Sequence, residues 1–374
     1  MSRSTRELLL YSARTRPAPQ IREFRFENIA WDYFFLLARR HAVVPLVYNQ
    51  LKNFVSPERL QTFKQHYQEN AARNIVLTNE LCRIIRLFAD FGIEAIPYKG
   101  PILSLFAYDD LALRRFIDLD VIVKKRDVLR ARDVLLADNY ALSKPLTESQ
   151  QEMLLRSQHN LQFTKDNRRL IVELHWEVAP HLFAYTVQGD ALWNNLVPFE
   201  LDGMTVKTFS ADDLLFSLCV HGSRHLWERL GWICDIAELI SRRTLDWTTL
   251  LERAAYADSE RMFLLGPYLA ARLLDAPLPP EVKRRCAADK LLQPLAAGII
   301  RRLFNGPEHV PATSREILKY NLGVRKSVVA RTRYVVHMLR PSDADVASHS
   351  FPSGLNFAYY LTRAFRLLFR KGSR

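Results

Sequence analysis

A change in hydrophobic period limits the folds open to this chain. Up to residue 91, apolar side chains recur every three or four positions. From residue 93 to 178 they gather into short, β-branched runs, and beyond Pro180 the helical spacing returns. Residues 29–51 and 57–92 read as amphipathic helices, the first interrupted at Pro45. In the second, Ile75, Leu77, Leu81, Ile84, Leu87 and Phe88 lie among Glu69, Arg73, Glu80, Arg83 and Arg86. In the middle stretch, residues 93–98 and 119–124 read as strands and 126–138 as a helix. Residues 161–165 and 170–178 read as two strands turning at Asp166-Asn167. The order β-α-β-α-β-β predicts an α+β fold: a small mixed sheet with flanking helices, framed by N- and C-terminal helical regions. The expected units are a helical region over 1–91, an α/β core over 92–180, a helical domain over 181–300 and a basic helical region over 301–374. In the third unit Ser210 reads as an N-cap with Asp213 in the capping-box position, opening a helix that runs to Leu230.

Composition narrows the setting. The 374 residues carry 53 Lys and Arg against 40 Asp and Glu. Residues 301–374 alone hold 14 basic and 4 acidic side chains, so most of the surplus sits in the last fifth of the chain. Such a surplus favours polyanions: nucleotides, nucleic acid or an acidic membrane surface. Cys82, Cys219, Cys234 and Cys286 form no C-x-x-C pair and lie in helical surroundings, which reads as a reduced, cytoplasmic protein. The N-terminus lacks the apolar stretch of a signal peptide, and no run approaches the ~20 apolar residues of a transmembrane helix.

The chemistry concentrates in Lys99–Val123, KGPILSLFAYDDLALRRFIDLDVIV. Asp118 and Asp120 stand two apart where a strand begins, so both carboxylates face one side while Leu119, Val121 and Val123 face the other. Two carboxylates on one face suit Mg²⁺, with Mn²⁺ as the alternative: a hard cation that takes oxygen ligands and keeps waters or substrate phosphates. A pair of metals can bracket an in-line displacement at phosphorus. Upstream, a strand ends at Lys99-Gly100 and a helix starts at Pro101, a residue suited to the first helical position. Gly100 lets phosphate oxygens approach the backbone, the helix start favours an anion, and Lys99 adds a point charge. Arg114, four residues before Asp118, is placed to reach the same triphosphate. An isolated D-x-D is common in exposed loops. The order strand, K-G, helix, Arg, D-x-D, strand is far more specific.

That order resembles the nucleotidyltransferase motif of the polymerase-β-like superfamily. It looks most like the branch of uncharacterised nucleotidyltransferases and the related abortive-infection toxins, over residues 25–250. The resemblance implies a polymerase-β-like core that transfers a nucleoside monophosphate from an NTP to an acceptor and releases pyrophosphate. The acceptor class stays open: a small molecule, a sugar phosphate, a protein or RNA. Asp118 and Asp120 are then catalytic metal ligands. The superfamily's third carboxylate, from a later strand, maps to Glu173 in IVELHW as ligand or general base. His175, two residues on, either touches the acceptor or triphosphate or is a structural histidine. The family often has Ser or Gly after the K-G glycine; Pro101 here removes a hydroxyl and an N–H from the phosphate cradle. That departure motivates a second reading, a nucleotide-binding or scaffold protein without turnover.

His221 and His225 lie four apart on one helix face, a spacing that can hold zinc. No Glu stands between them and no third ligand is evident. The resemblance instead assigns H-x3-H-W and the later W-x2-D to a helix closing over the nucleotide. His221, Arg224 and His225 then meet phosphates and Asp235 orients one of them; a buried polar network pinning two helices is the competing reading. The last segment, Leu355–Lys371, reads as a basic amphipathic helix. It could pack on the protein, lie as a peripheral contact on an anionic membrane or meet nucleic acid. The last of these motivates a toxin-like reading in which the acceptor is tRNA.

Overall fold

The structure, a computed structural model, describes residues 2–16, 18–144, 147, 150–151, 154–155, 158–179, 190–306, 308, 310–338, 351 and 357–369. A five-stranded mixed sheet lies at its centre. In chain order its strands are β1 (Ala95–Pro97), β2 (Leu119–Val123), β3 (Ala141–Leu142), β4 (Asn160–Lys165) and β5 (Leu170–His175). The spatial order is β1-β2-β5-β4-β3, with β2 and β5 parallel and every other pair antiparallel. The parallel register sets Asp120 opposite Glu173 and Ile122 opposite His175.

Alternation along β2 gives the sheet two different faces. Leu119, Val121 and Val123 join Val172, Leu174 and Phe163 in one core, under α4 (Pro57–Asp90) and α6 (Val128–Ala137). Ile122, with Ile96 and Tyr98, belongs to a second core built by the helices on the other side. That side comprises α1 (Arg3–Ser12), α2 (Trp31–Arg40), α3 (Val44–Leu51), α5 (Pro101–Tyr108) and, beyond the sheet, α7 (Asp190–Asn194), α8 (Ala211–Arg224) and α9 (Leu230–Arg242). It continues through α10 (Trp247–Tyr256), α11 (Glu260–Leu274), α12 (Pro280–Ala288), α13 (Leu292–Leu303) and α14 (Ser314–Gly323). The last helices are α15 (Val328–Met338) and α16 (Ala358–Phe369).

The 34 residues of α4 serve both cores. Leu60 and Phe63, near its start, pack with α2 and α3, whereas Leu77, Leu81, Ile84 and Phe88 sit on the sheet. Pro45 falls in the first turn of α3, so the expected interruption of 29–51 comes at His41-Ala42-Val43, where Ala42 takes a left-handed backbone. His41 is buried there: its Nδ1 accepts the Leu230 N–H at 3.2 Å, which leaves Nε2 to donate to the Leu303 carbonyl at 3.0 Å.

Two readings of the sequence change. The stretch beyond Pro180 is not all helix. Leu196–Leu201 and Met204–Phe209 form a hairpin, β6 and β7, joined by Asp202-Gly203, both with positive φ. This hairpin lies beside β1, with the Thr208 hydroxyl donating to the Pro97 carbonyl at 2.6 Å. The helix opened by Ser210 is capped as expected, the serine accepting from the Asp213 N–H. It stops at Arg224, however, where Leu226 and Trp227 turn left-handed and the Trp227 ring packs onto Gly222. The expected Leu355–Lys371 helix runs over Ala358–Phe369; its first residues and those from Arg370 on lie outside the described residues.

Candidate active site

A cleft of about 1330 Å³ opens over the central strands β2 and β5 of the sheet. It is bounded by the strand ends on one side and by α2, α4, α8 and the start of α9 on the other. All ten residues singled out from the sequence line it: Lys99, Gly100, Arg114, Asp118, Asp120, Glu173, His175, His221, Arg224 and His225.

The carboxylates come from adjacent parallel strands. Asp120 Oδ1 lies 3.0 Å from Lys99 Nζ and 3.1 Å from His175 Nε2, and Glu173 Oε2 lies 3.3 Å from the same nitrogen. Asp120, Glu173 and His175 bring ligand atoms within 4.8 Å of one another, a group able to hold a metal ion. From β4, Asn160 Nδ2 donates to Glu173 Oε2 at 3.1 Å and Gln162 Nε2 to Oε1 at 3.3 Å, fixing that carboxylate. Burial alone would raise the Asp120 carboxyl, but Lys99 and His175 pull it well below the usual carboxylate range. At Asp118, just before β2, the balance tips the other way: burial, then Asp120 and Glu173, outweigh Lys99 and Arg114 and push it up to about 6. Burial opposes the charge on His175, and the two carboxylates it touches outweigh that and raise it. Carboxylates that repel one another in a buried site, with hard oxygen donors, fit a divalent cation.

The K-G step has a conformational reason. Gly100 has φ +52° and ψ −122°, a region that excludes side chains, and a Cβ there would meet the Asp118 carbonyl at 3.4 Å. The turn thus lets β1 feed α5 while lying against the strand that bears Asp118. Pro101 occupies the first turn of α5, where its missing N–H disrupts no helical bond.

Arg114 lines the cleft and is also tied down within the protein. Its Nε lies 3.0 Å from Asp235 Oδ1, to which the Tyr108 hydroxyl also donates at 2.8 Å. Asp235 therefore holds Arg114 rather than His221, His225 or Arg224, because α9 packs against α5 and brings residue 235 beneath the loop. The loop is clamped from the far side as well. Asn70 and Asn74, one turn apart on α4, both donate to the Arg114 carbonyl, at 3.2 and 2.8 Å, and reach Ala112 and Leu111. These asparagines are not among the residues expected from the sequence; the one local sign of them is their i, i+4 spacing on an otherwise apolar helix face.

The His221 and His225 rings lie tilted with centroids 4.6 Å apart, and both meet the Trp232 ring, His221 edge-on. Among the described residues no third His, Cys, Asp or Glu completes a metal group with them. Burial pushes His225 down to about 4 and His221 well below its usual value, so both are neutral. Arg224 Nη1 lies 2.8 Å from His159 Nε2, and His159 in turn neighbours His175, linking α8 to the sheet.

The family model described as uncharacterised nucleotidyltransferase matches residues 27–275. That span holds the sheet, α8, α9 and every residue of the site. No curated protein and no solved structure matches the chain.

Proposed function

The chain belongs to the uncharacterised nucleotidyltransferase family, and from that premise we propose that it transfers a nucleoside monophosphate from an NTP to an acceptor, releasing pyrophosphate. The observation that carries the reading is the convergence of Asp120, Glu173 and His175 on the adjacent strands β2 and β5, beside Asp118 and Lys99. Asp118, Asp120 and Glu173 hold Mg²⁺, with Mn²⁺ as the alternative. Such a cation, when bound, neutralises the triphosphate and orients its α-phosphorus. Glu173 serves as ligand or general base: burial raises its carboxyl, but His175 and Lys99 outweigh that and keep it charged, the form that either role needs. His175 positions Asp120 and Glu173 through its Nε2. Lys99 and the turn at Gly100 take the triphosphate, Arg114 braces the loop under it, and His221, Arg224 and His225 close the cleft from α8. Catalysis then rests on positioning and charge neutralisation.

The test is incubation with each labelled NTP, Mg²⁺ and host lysate, in wild type and Asp120→Ala. Label moving to one class of molecule in wild type alone supports transfer. Nucleotide binding with no label moved supports the nucleotide-binding scaffold, and label in tRNA alone supports the toxin-like reading.

A peripheral membrane contact is proposed for the C-terminal region on a separate observation. No helix among the described residues is long and apolar enough to cross a membrane. Yet Val328, Val329, Val335 and Val336 are exposed along one side of α15, in a region of strong positive charge. An anionic lipid surface matches both. Cosedimentation with phosphatidylserine vesicles, lost in Val329→Asp/Val336→Asp, is the expected result; equal binding by the variant removes this contact.

A further inference from the structure

The cleft contains a second charged group that the transfer chemistry leaves unused. Arg39 from the last turn of α2, Arg73 from α4, Arg115 from the loop before β2 and Arg229 at the N-cap of α9 all line it. Four separate elements thus deliver arginines to one wall. Among the described residues none of the four is ion-paired to a carboxylate. Arg39 and Arg229 rest on the rings of Phe35, at 6.0 Å, and Trp232, at 5.6 Å. The nearby acids do not neutralise them: Glu228 pairs with Arg302 at 3.2 Å, and Glu69 accepts from Gln65 at 2.9 Å. Glu308 reaches the cleft as a third acid. Burial lowers the Arg115 guanidinium, and Arg229, Arg73 and Arg39 lower it further. A guanidinium does not discharge in a protein, so the repulsion persists until an anion arrives.

The triphosphate is not the natural occupant. It must reach the metal at Asp118 and Asp120, where Lys99 already stands. Arg114 feels the charge of Asp118, while its neighbour Arg115 is surrounded by arginines. The cleft, about 1330 Å³, also exceeds the roughly 300–1,000 Å³ that one small ligand fills. We propose that Arg39, Arg73, Arg115 and Arg229 seat the acceptor, and that the acceptor is a small phosphate-bearing molecule. This rests on the transfer reading above. The acceptor oxygen bonds the α-phosphorus as the bond to pyrophosphate breaks, and pyrophosphate leaves with the electron pair. Where the nucleophile is a hydroxyl, its proton passes to a base or water at the site. Arginine forks hold the acceptor's own phosphate away from the reacting centre, so two polyanions lie side by side.

The test measures inorganic phosphate binding by calorimetry, with the nucleotide site saturated by Mg²⁺ and a pool of α,β-methylene NTPs. Wild type is expected to bind phosphate under these conditions. Arg73→Gln/Arg115→Gln weakens that binding tenfold or more and changes nucleotide affinity less than threefold. Asp120→Asn does the reverse. The double variant also melts no lower than wild type, since it loses a repulsion, and phosphate raises the melting temperature of wild type alone. Displacement of phosphate by the nucleotide analogues overturns the proposal, as does undiminished phosphate binding by the double variant. So does an oligoribonucleotide that binds through Arg73 and Arg115 where phosphate does not compete. If phosphate binds at the arginines but no nucleotide analogue binds at all, the anion seat stands and the transfer reading fails.

Discussion

The two walls of the cleft handle charge in opposite ways. On the strand wall two acids have cations or donors in contact: Lys99 and His175 on Asp120, and Asn160, Gln162 and His175 on Glu173. Asp118 is the exception: burial, Asp120 and Glu173 outweigh the pull of Lys99 and Arg114 and raise its carboxyl. On the helical wall, Arg39, Arg73, Arg115 and Arg229 have no acidic partner among the described residues. A wall whose charges are satisfied internally is built to hold a fixed geometry. One whose charges repel is built to wait for a ligand, because its cost is recovered only on binding.

The sharpest way to break this contrast is at Asp120. Asp120→Ala is expected to lower kcat/KM for pyrophosphate release by about 10³-fold, roughly 4 kcal/mol. A variant that keeps a tenth of the activity moves the chemistry off the strand wall. Next comes the loop that serves both walls. Asn74 is fully buried and carries the Leu111 and Arg114 carbonyls. Asn74→Ala leaves them without that donor, and urea unfolding should show a loss of about 1–3 kcal/mol.

A smaller effect is visible only in acid. Burial lowers His41 from 6.5 to about 3. The unfolded chain therefore takes up a proton below pH 6.5 that the folded chain refuses, and stability falls as pH drops from there toward 3. His159, His221 and His225 act in the same direction. His41→Gln keeps a donor and an acceptor without the titration. It should move the acid midpoint down by roughly half a pH unit, read by circular dichroism; an unchanged midpoint removes His41 from the account. The smallest change is expected for Gln162→Ala, which removes a 3.3 Å bond at an exposed position. Its stability should stay within about 0.5 kcal/mol of wild type in the same unfolding assay.

The difference between the walls also explains what could be read from the residues alone. Asp118, Asp120, Lys99 and Gly100 lie within one short stretch, and a period of two fixes which way the carboxylates point. Glu173 follows from the resemblance, which implies a third carboxylate on a later strand. Residues 39, 73, 115 and 229 belong to elements far apart in sequence, and no local pattern joins them. The pairing of Arg114 with Asp235 is hidden for the same reason: the two lie 121 residues apart. The β6–β7 hairpin was open to detection, since Asp202-Gly203 between LVPFEL and MTVKTF is a strong turn signal. The helical spacing around it masked that signal.

The long helix α4 has a consequence for how the protein comes apart. At about 1.5 Å per residue it is a rod roughly 50 Å long, anchored in one core through Leu60 and Phe63 and in the other through Leu77 to Phe88. Neither core can melt without stripping contacts from the same rod. The two should therefore be lost in a single cooperative step rather than one after the other, and the cleft between them persists for as long as the rod does.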